Sequence, residues 1–107
     1  MAEQQVMAER DRLLTQIGDH VRHLRLSANI SQEELAATSG VGLSTLKRLE
    51  RGEGCNLAAL LQVLEPLDAA GKLEAFFARL AGEVRTSGPD GERRRASSLR
   101  RPATSGK

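Results

Sequence analysis

A chain of 107 residues has room for one small domain. Only 2% of its residues are aromatic, which excludes the aromatic platforms that stack single-stranded bases, whereas its aliphatic residues suit a compact helical core. The net charge of +2 is uneven: residues 1–86 hold 10 Lys or Arg against 12 Asp or Glu, and residues 87–107 hold 6 against 2. If the folded part binds nucleic acid, its basic residues must therefore lie together on one surface, because its total charge is slightly acidic.

Cysteine usage and hydropathy indicate the compartment. The single Cys55 cannot form an internal disulfide, and no apolar run approaches the roughly 18 residues of a membrane span. The N-terminus MAEQQVMAERDR lacks the apolar stretch of a signal peptide. We expect a cytoplasmic protein that uses no membrane. His20 and His23 have no further ligands at metal-binding spacing, so we expect neither a metal nor a cofactor.

The first predicted helix is amphipathic. Its apolar residues recur at helical spacing: Leu13, Leu14, Ile17, Val21 and Leu24. This pattern predicts a helix from about residue 8 to residue 27 whose apolar face enters the core. Residues 1–10 contain no helix breaker, so they form either a helical extension or a frayed segment.

The second predicted helix has clear signals at both ends. Ser31 is followed three residues later by Glu34, the spacing at which the serine caps backbone N–H groups and the glutamate reaches back. The helix should stop near Ser39, because Gly40 can adopt the left-handed conformation that ends a helix.

The third predicted helix follows after a short turn. Either Gly42 or Ser44 is expected to cap its start, and Gly52 marks its end. Leu46 and Leu49 supply its buried face.

Two further helices complete the predicted fold. The fourth runs from about residue 57 to residue 67, and its expected inward residues are Leu57, Leu60, Leu61 and Leu64. The fifth covers about residues 72–84, where we expect Phe76 or Phe77 to be buried with Leu73 and Leu80. Only one of the two should be buried, because adjacent helical residues point about 100° apart. With no strand pattern or internal repeat, the chain is predicted to be an all-α bundle of five short helices.

The C-terminal segment has a different composition. Residues 87–107 are rich in Ser, Gly, Pro and Arg, with Leu99 as the only sizeable apolar group, so they cannot bury enough surface to fold. We predict that they form a disordered basic tail after a domain at residues 11–86. The tail either holds phosphates without sequence preference or folds on a protein partner.

The second and third helices together favour DNA binding. A small alanine, Ala36, and the Gly40 turn are what two helices need to pack steeply across a short connection. Such a unit presents its second helix outward, and a helix fits the major groove of B-DNA. The outward side carries short hydroxyl and basic groups without an acid: Leu43, Ser44, Lys47, Arg48 and Arg51, of which only Leu43 is apolar.

The motif resembles a known family. The pattern Q-x-x-L-A-x-x-x-G-V-x-x-x-x-[IL]-x-x-[IL]-E-x-G is similar to that of phage-repressor, or Cro/Xre-type, helix-turn-helix proteins, and the resemblance extends from about residue 17 to residue 67. The matching residues are Gln32, Leu35, Ala36, Gly40, Val41, Leu46, Leu49, Glu50 and Gly52. The resemblance implies a lambda-repressor-like five-helix fold, a homodimer on a two-fold operator in double-stranded DNA, and major-groove recognition by the third helix.

The resemblance also implies roles for single residues. Those at or near positions that touch bases are Leu43, Ser44, Thr45, Lys47 and Arg48. Those at positions that approach the DNA backbone are Gln32, Arg25, Arg51 and Asn56. Glu50 would support the site by holding Arg25. Two residues depart from the family: Gly42 replaces a frequent capping serine, and Leu43 replaces a polar residue, so it can touch a thymine methyl but cannot hydrogen-bond a base.

Three other functions compete with a repressor. A small Xre-type domain with a basic tail is similar to antitoxins of two-gene modules, especially those paired with HipA-like kinase toxins, so a toxin is a possible partner. A protein-interaction module that no longer binds DNA is the second alternative, because the folded part is slightly acidic. An enzyme is the third, but no acid–histidine constellation or phosphate-binding glycine loop is present, so we expect no catalysis.

Overall fold

The computed structural model describes residues 2–84, and within that range it contains five α-helices and no strand. They are α1 (Ala2–Ser27), α2 (Gln32–Ser39), α3 (Leu43–Glu50), α4 (Leu57–Leu64) and α5 (Ala70–Glu83). The all-α, five-helix fold is thereby confirmed. The predicted basic tail, residues 87–107, lies outside the described residues. None of the five helices is long and apolar enough to cross a bilayer.

The chain divides into two compact units within α5. The first ends at Glu74 and contains α1 to α4; the second begins at Ala75. Residues 2–10 belong to α1, which is continuous to Ser27. The domain boundaries drawn from composition, after residues 10 and 86, stay a prediction.

The ends of α2 are fixed by residues close in sequence. Ser31 Oγ accepts a hydrogen bond from the Glu34 N–H at 3.0 Å, and the Glu34 carboxylate accepts one from the Ser31 N–H at 2.7 Å. At the other end Gly40 has φ of 76°, and its N–H donates to the carbonyl of Ala36. Both predicted ends of α2 are therefore confirmed, and each satisfies backbone groups that a helix terminus leaves open.

The core lies where the first four helices meet. Leu35, Leu46 and Val63 are its largest fully buried side chains, and they come from α2, α3 and α4. The other buried apolar residues are Val21, Ala36, Val41, Leu49, Ala59 and Leu64. Because α2, α3 and α4 have only eight residues each, they are too short to persist in water alone, and this shared core is what keeps them helical.

The predicted inward face of α1 was largely wrong. The helix buries Gly18, Val21 and Arg25, whereas Leu13, Ile17 and Leu24 are about 40% exposed, at 41%, 40% and 38%. A Cβ atom at Gly18 would overlap the carbonyl oxygen of Leu49. The backbones of α1 and α3 thus touch at Gly18, and Leu13, Ile17 and Leu24 lie to one side of the face that makes this contact.

The predicted face of α4 was also wrong in part. Leu64 is buried and Leu60 packs against the core, as predicted, but Leu57 and Leu61 are exposed, and the helix also buries Ala59 and Val63. The sequence LAALLQVL is apolar on nearly every side, so its spacing cannot select one face. The helix ends at Leu64, three residues before the predicted position, ahead of Pro66.

Both phenylalanines of α5 are exposed, contrary to the prediction that one of them is buried. Phe76 and Phe77 are 44% and 58% exposed, and their rings meet edge to face at a centroid distance of 5.7 Å. The guanidinium of Arg79 lies 5.7 Å from the centre of the Phe76 ring. Leu73 alone of the predicted group packs against the core, and Leu80 is exposed.

Candidate nucleic-acid interface

Helix α3 presents one face to solvent and one to the core. Its buried residues are Leu46, Leu49 and Glu50, while Ser44 and Arg48 are exposed. The turn of Gly40, Val41 and Gly42 connects it to α2, and Val41 is buried. Gly42, and not Ser44, is the N-cap of α3, and it provides no side-chain hydrogen bond to the helix terminus.

The five residues predicted to contact bases differ in solvent exposure. Ser44 and Arg48 are exposed, and the Nη2 of Arg48 donates to Thr45 Oγ1 at 3.3 Å. Thr45 and Lys47 are half-buried. Leu43 is also half-buried and packs against the core, so only part of its side chain faces outward. Arg48 and Ser44 are therefore the most accessible polar groups on α3.

A buried ion pair anchors the C-terminal end of α3 to α1. Arg25 Nε donates to Glu50 Oε2 at 2.7 Å and Arg25 Nη2 donates to Glu50 Oε1 at 3.0 Å, with the two side chains only 9% and 4% exposed. These bonds to Glu50 raise the pKa of Arg25 above its usual value, against the opposing effect of burial. Both groups satisfy each other in the bidentate geometry that favours arginine with carboxylate.

The ion pair extends to α2 through Gln32. Its Nε2 donates to Glu50 Oε1 at 3.0 Å, so Glu50 holds side chains from α1 and α2 at once. Arg25 Nη1 donates further to the carbonyl of Ile30 at 3.0 Å, just before α2 begins. Arg25 and Glu50 form the pair that the family resemblance implied, but Arg25 lies beneath the surface rather than on it.

A cleft of about 310 Å³ opens above this ion pair. It is lined by Arg22 of α1, Gln32 of α2, and Lys47, Glu50 and Arg51 at the end of α3. The cleft brings together two of the residues predicted to approach the DNA backbone, Gln32 and Arg51. It also contains Arg22, which sequence reasoning missed. The available signal was its position three residues before Arg25, almost one helical turn earlier.

The segment after α3 carries the remaining predicted backbone contacts. Arg51 pairs with Glu53 at 2.9 Å, and both side chains are more than half exposed. This hydrogen bond raises the pKa of Arg51 and lowers that of Glu53. Asn56 uses its Oδ1 to accept from the Ala59 N–H at 2.7 Å and so caps α4, with its side chain near the surface. The Arg51 side chain is thus freer to move toward a ligand than that of Asn56, which is held by the cap of α4.

The histidines and the cysteine lie apart from this cleft. His20 and His23 are exposed on α1, and Cys55 is half-buried in the loop before α4, where burial raises the pKa of its thiol. Among residues 2–84, no three His, Cys, Asp or Glu side chains come together in a way that could hold a metal ion.

Comparison with known proteins identifies the family. Residues 16–77, more than half of the chain, match the family described as "Helix-turn-helix domain". The chain is also 40% identical over 62 residues to a protein of Sinorhizobium fredii (strain NBRC 101917 / NGR234) named "Uncharacterized HTH-type transcriptional regulator y4mF"; the aligned part covers 57% of this chain and 82% of the relative. No solved structure matches the chain. The chain therefore belongs to the helix-turn-helix domain family and is an Xre-like protein, the class of DNA-binding regulators that its motif indicated.

Proposed function

We propose that this protein is a sequence-specific transcriptional repressor that binds a palindromic operator as a homodimer and places α3 in the major groove. The observation that carries the proposal is the outward face of α3, where Ser44 and Arg48 are exposed and no acidic side chain interrupts them. The Sinorhizobium relative, which bears the name of a transcriptional regulator, supports the broader part of this proposal, the regulation of transcription.

The charges near α3 favour a polyanion despite the acidic balance of residues 1–86. Lys47, Arg48 and Arg51 are the basic residues on or next to the helix. Glu50 is the only acid within α3, and the buried bidentate bond to Arg25 compensates its charge. The surface that meets DNA is therefore locally positive, which is what phosphate neutralisation requires.

In this proposal the exposed and half-buried residues contact DNA, and the buried residue Arg25 supports them. Ser44 and Arg48 read base edges, with Thr45, Lys47 and the exposed part of Leu43 beside them. Gln32, Arg51 and Asn56 approach the backbone. Arg25, only 9% exposed, acts mainly by holding Glu50 and thereby the end of α3. An arginine that reaches the O6 and N7 of guanine contributes about 1–3 kcal/mol of discrimination, so Arg48 carries most of the sequence preference.

The second copy of the chain is proposed to pack on the exposed apolar side of α5. Phe76 and Phe77 are about half exposed, and Leu80 and Val84 are exposed as well. The two rings leave on the order of 200 Å² of aromatic surface per protomer. That is about a quarter of the roughly 800 Å² per partner in a standard interface. We therefore expect a weak dimer in solution that two adjacent half-sites strengthen.

No observation on the described residues supports the alternative that this chain is an antitoxin of a HipA-type toxin. Its main support was the basic tail at residues 87–107, which lies outside them. The non-DNA-binding alternative is separated from the proposal by the experiment that follows.

The test is binding of the full chain to the DNA upstream of its own reading frame and to random duplex, measured by fluorescence anisotropy. Replacing Lys47 and Arg48 by Ala should abolish the preference for the upstream DNA. The matched control replaces Arg10 and Arg12, two exposed arginines of α1, and should retain the preference. If the unaltered chain binds neither duplex, or if the α3 variant keeps its preference, the proposed function is wrong.

A further inference from the structure

We propose that the cleft lined by Arg22, Gln32, Lys47, Glu50 and Arg51 holds a backbone phosphate of the bound DNA and that Arg22 contacts this phosphate directly. This inference depends on the proposed function and adds Arg22 to the backbone contacts already predicted at Gln32 and Arg51. Neither the family resemblance nor the sequence pattern of α3 assigns a role to Arg22.

The two arginines near the end of α1 take different positions. Arg25 turns inward, with only 9% of its side chain exposed, and donates hydrogen bonds to Glu50 and Ile30. Arg22 is exposed and lines the cleft. Among the ion pairs and side-chain hydrogen bonds found in residues 2–84, none involves Arg22. Arg25 is therefore committed to Glu50 and does not line the cleft, whereas Arg22 is a cation that remains available in its lining.

The charge of the cleft suits an anion. Arg22, Lys47 and Arg51 are cationic, and the single carboxylate in the lining, Glu50, is already paired with Arg25 below. Glu53 pairs with Arg51, but that pair is exposed and opens at little cost when a phosphate replaces the carboxylate. The net charge around the cleft is thus positive even with Glu53 in place.

Other nearby acids do not occupy the site. Glu33, in the first turn of α2, acts on Arg25 through its charge but does not line the cleft. Asp19 lies one turn before Arg22 on α1 and forms no ion pair among the described residues. Neither carboxylate places an oxygen in the lining, so the cationic groups there face open space.

The position of the cleft indicates which anion it receives. Lys47 belongs both to the cleft and to α3, one residue before the exposed Arg48. When α3 lies in the major groove, the cleft is therefore beside the bases that Arg48 reaches, where the phosphates of the same groove edge pass. A phosphodiester of the duplex is the occupant that this arrangement fits, and contacts of this kind set affinity rather than sequence preference.

The experiment compares the salt dependence of DNA binding for the full chain and its variants. In Arg22→Gln, the slope of log K against log salt should fall in magnitude by about 0.9, on the upstream DNA and on random duplex alike. At about 0.15 M salt this change of slope corresponds to roughly fivefold weaker binding. Arg22→Lys should keep the slope, and Arg12→Gln, an exposed residue of the same helix outside the cleft, should behave as the unaltered chain.

The outcomes separate the two proposals. If the unaltered chain binds no duplex, both the proposed function and the phosphate site are overturned. If it binds selectively and Arg22→Gln keeps the full slope, the phosphate site alone is overturned. A loss confined to the upstream DNA, with the slope on random duplex intact, would make Arg22 a base contact and would likewise refute this inference. Far-ultraviolet circular dichroism of each variant checks that the helices remain.

Discussion

Replacing Glu50 by Gln should be one of the most destabilising single changes in the domain. The carboxylate accepts two hydrogen bonds from Arg25, at 2.7 and 3.0 Å, and one from Gln32 at 3.0 Å, with 4% of its side chain exposed. Removing one partner of a buried ion pair typically costs about 3–5 kcal/mol, because the other charge stays buried without compensation. Two charge-assisted bonds of about 1.5–3 kcal/mol each sum to about 3–6 kcal/mol, which overlaps this range.

That loss is large for a domain of this size. Native domains have total stabilities of only about 5–15 kcal/mol, so Glu50→Gln removes a third or more of a typical value. At about 4–8 °C per kcal/mol, a loss of 3 kcal/mol lowers Tm by roughly 10–25 °C. Urea denaturation followed by circular dichroism measures the change directly.

A double-mutant cycle tests the reason for the loss. In Arg25→Met with Glu50→Gln, both charges are absent, and much of the stability should return because no unpaired ion remains in the interior. The control is Glu53→Gln, which removes an exposed partner of Arg51 and should leave the midpoint unchanged. A loss below about 1 kcal/mol for Glu50→Gln, or strictly additive single changes, would refute the role given to this pair.

Three further expectations concern stability and reactivity. Gly18→Ala should lower the free energy of unfolding by about 1–3 kcal/mol, because its Cβ meets the Leu49 carbonyl, whereas Gly71→Ala, with open space around it, should raise it slightly; urea denaturation of both variants decides. Ser31→Ala should cost about 1 kcal/mol through the lost cap, and an unchanged midpoint would contradict this. Cys55 should react with iodoacetamide at pH 8 more slowly in the folded chain than in urea, since its raised pKa leaves less thiolate; equal rates would count against it.

What the sequence predicted well was local in origin. The ends of α2 depend on Ser31, Glu34 and Gly40, which act on backbone groups within four residues of themselves. Such signals need no knowledge of the tertiary structure. The existence and order of all five helices followed from the same kind of information.

The faces of the helices depended on contacts between distant residues. The buried face of α1 contains Gly18, which contacts the backbone of α3, and Arg25, which pairs with Glu50 of α3. A hydrophobicity scale predicts that Ile17 and Leu24 are buried in preference to Gly18 and Arg25. A glycine inside a predicted helix is itself a signal of close backbone approach, and it was available at Gly18.

The candidate site shows the same division. Gln32, Glu50 and the outward residues of α3 were accessible from the motif, because the motif records their spacing. Arg22 lies outside the motif residues, and only the packing of α1 beside α3 brings it to Lys47 and Arg51. Charge alone could not separate it from Arg12, which faces solvent elsewhere on the same helix.

The contact of Gly18 with α3 also divides α1 energetically, although the helix is continuous in geometry. Residues 2–13 are all exposed, and a free helix of this length is marginal in water. The turns from Gly18 to Arg25 bury one face, which consists of Gly18, Val21 and Arg25, and they cannot open without exposing the core. Amide hydrogens of the first three turns should therefore exchange by local fraying, while those beyond Gly18 exchange only when the whole domain unfolds.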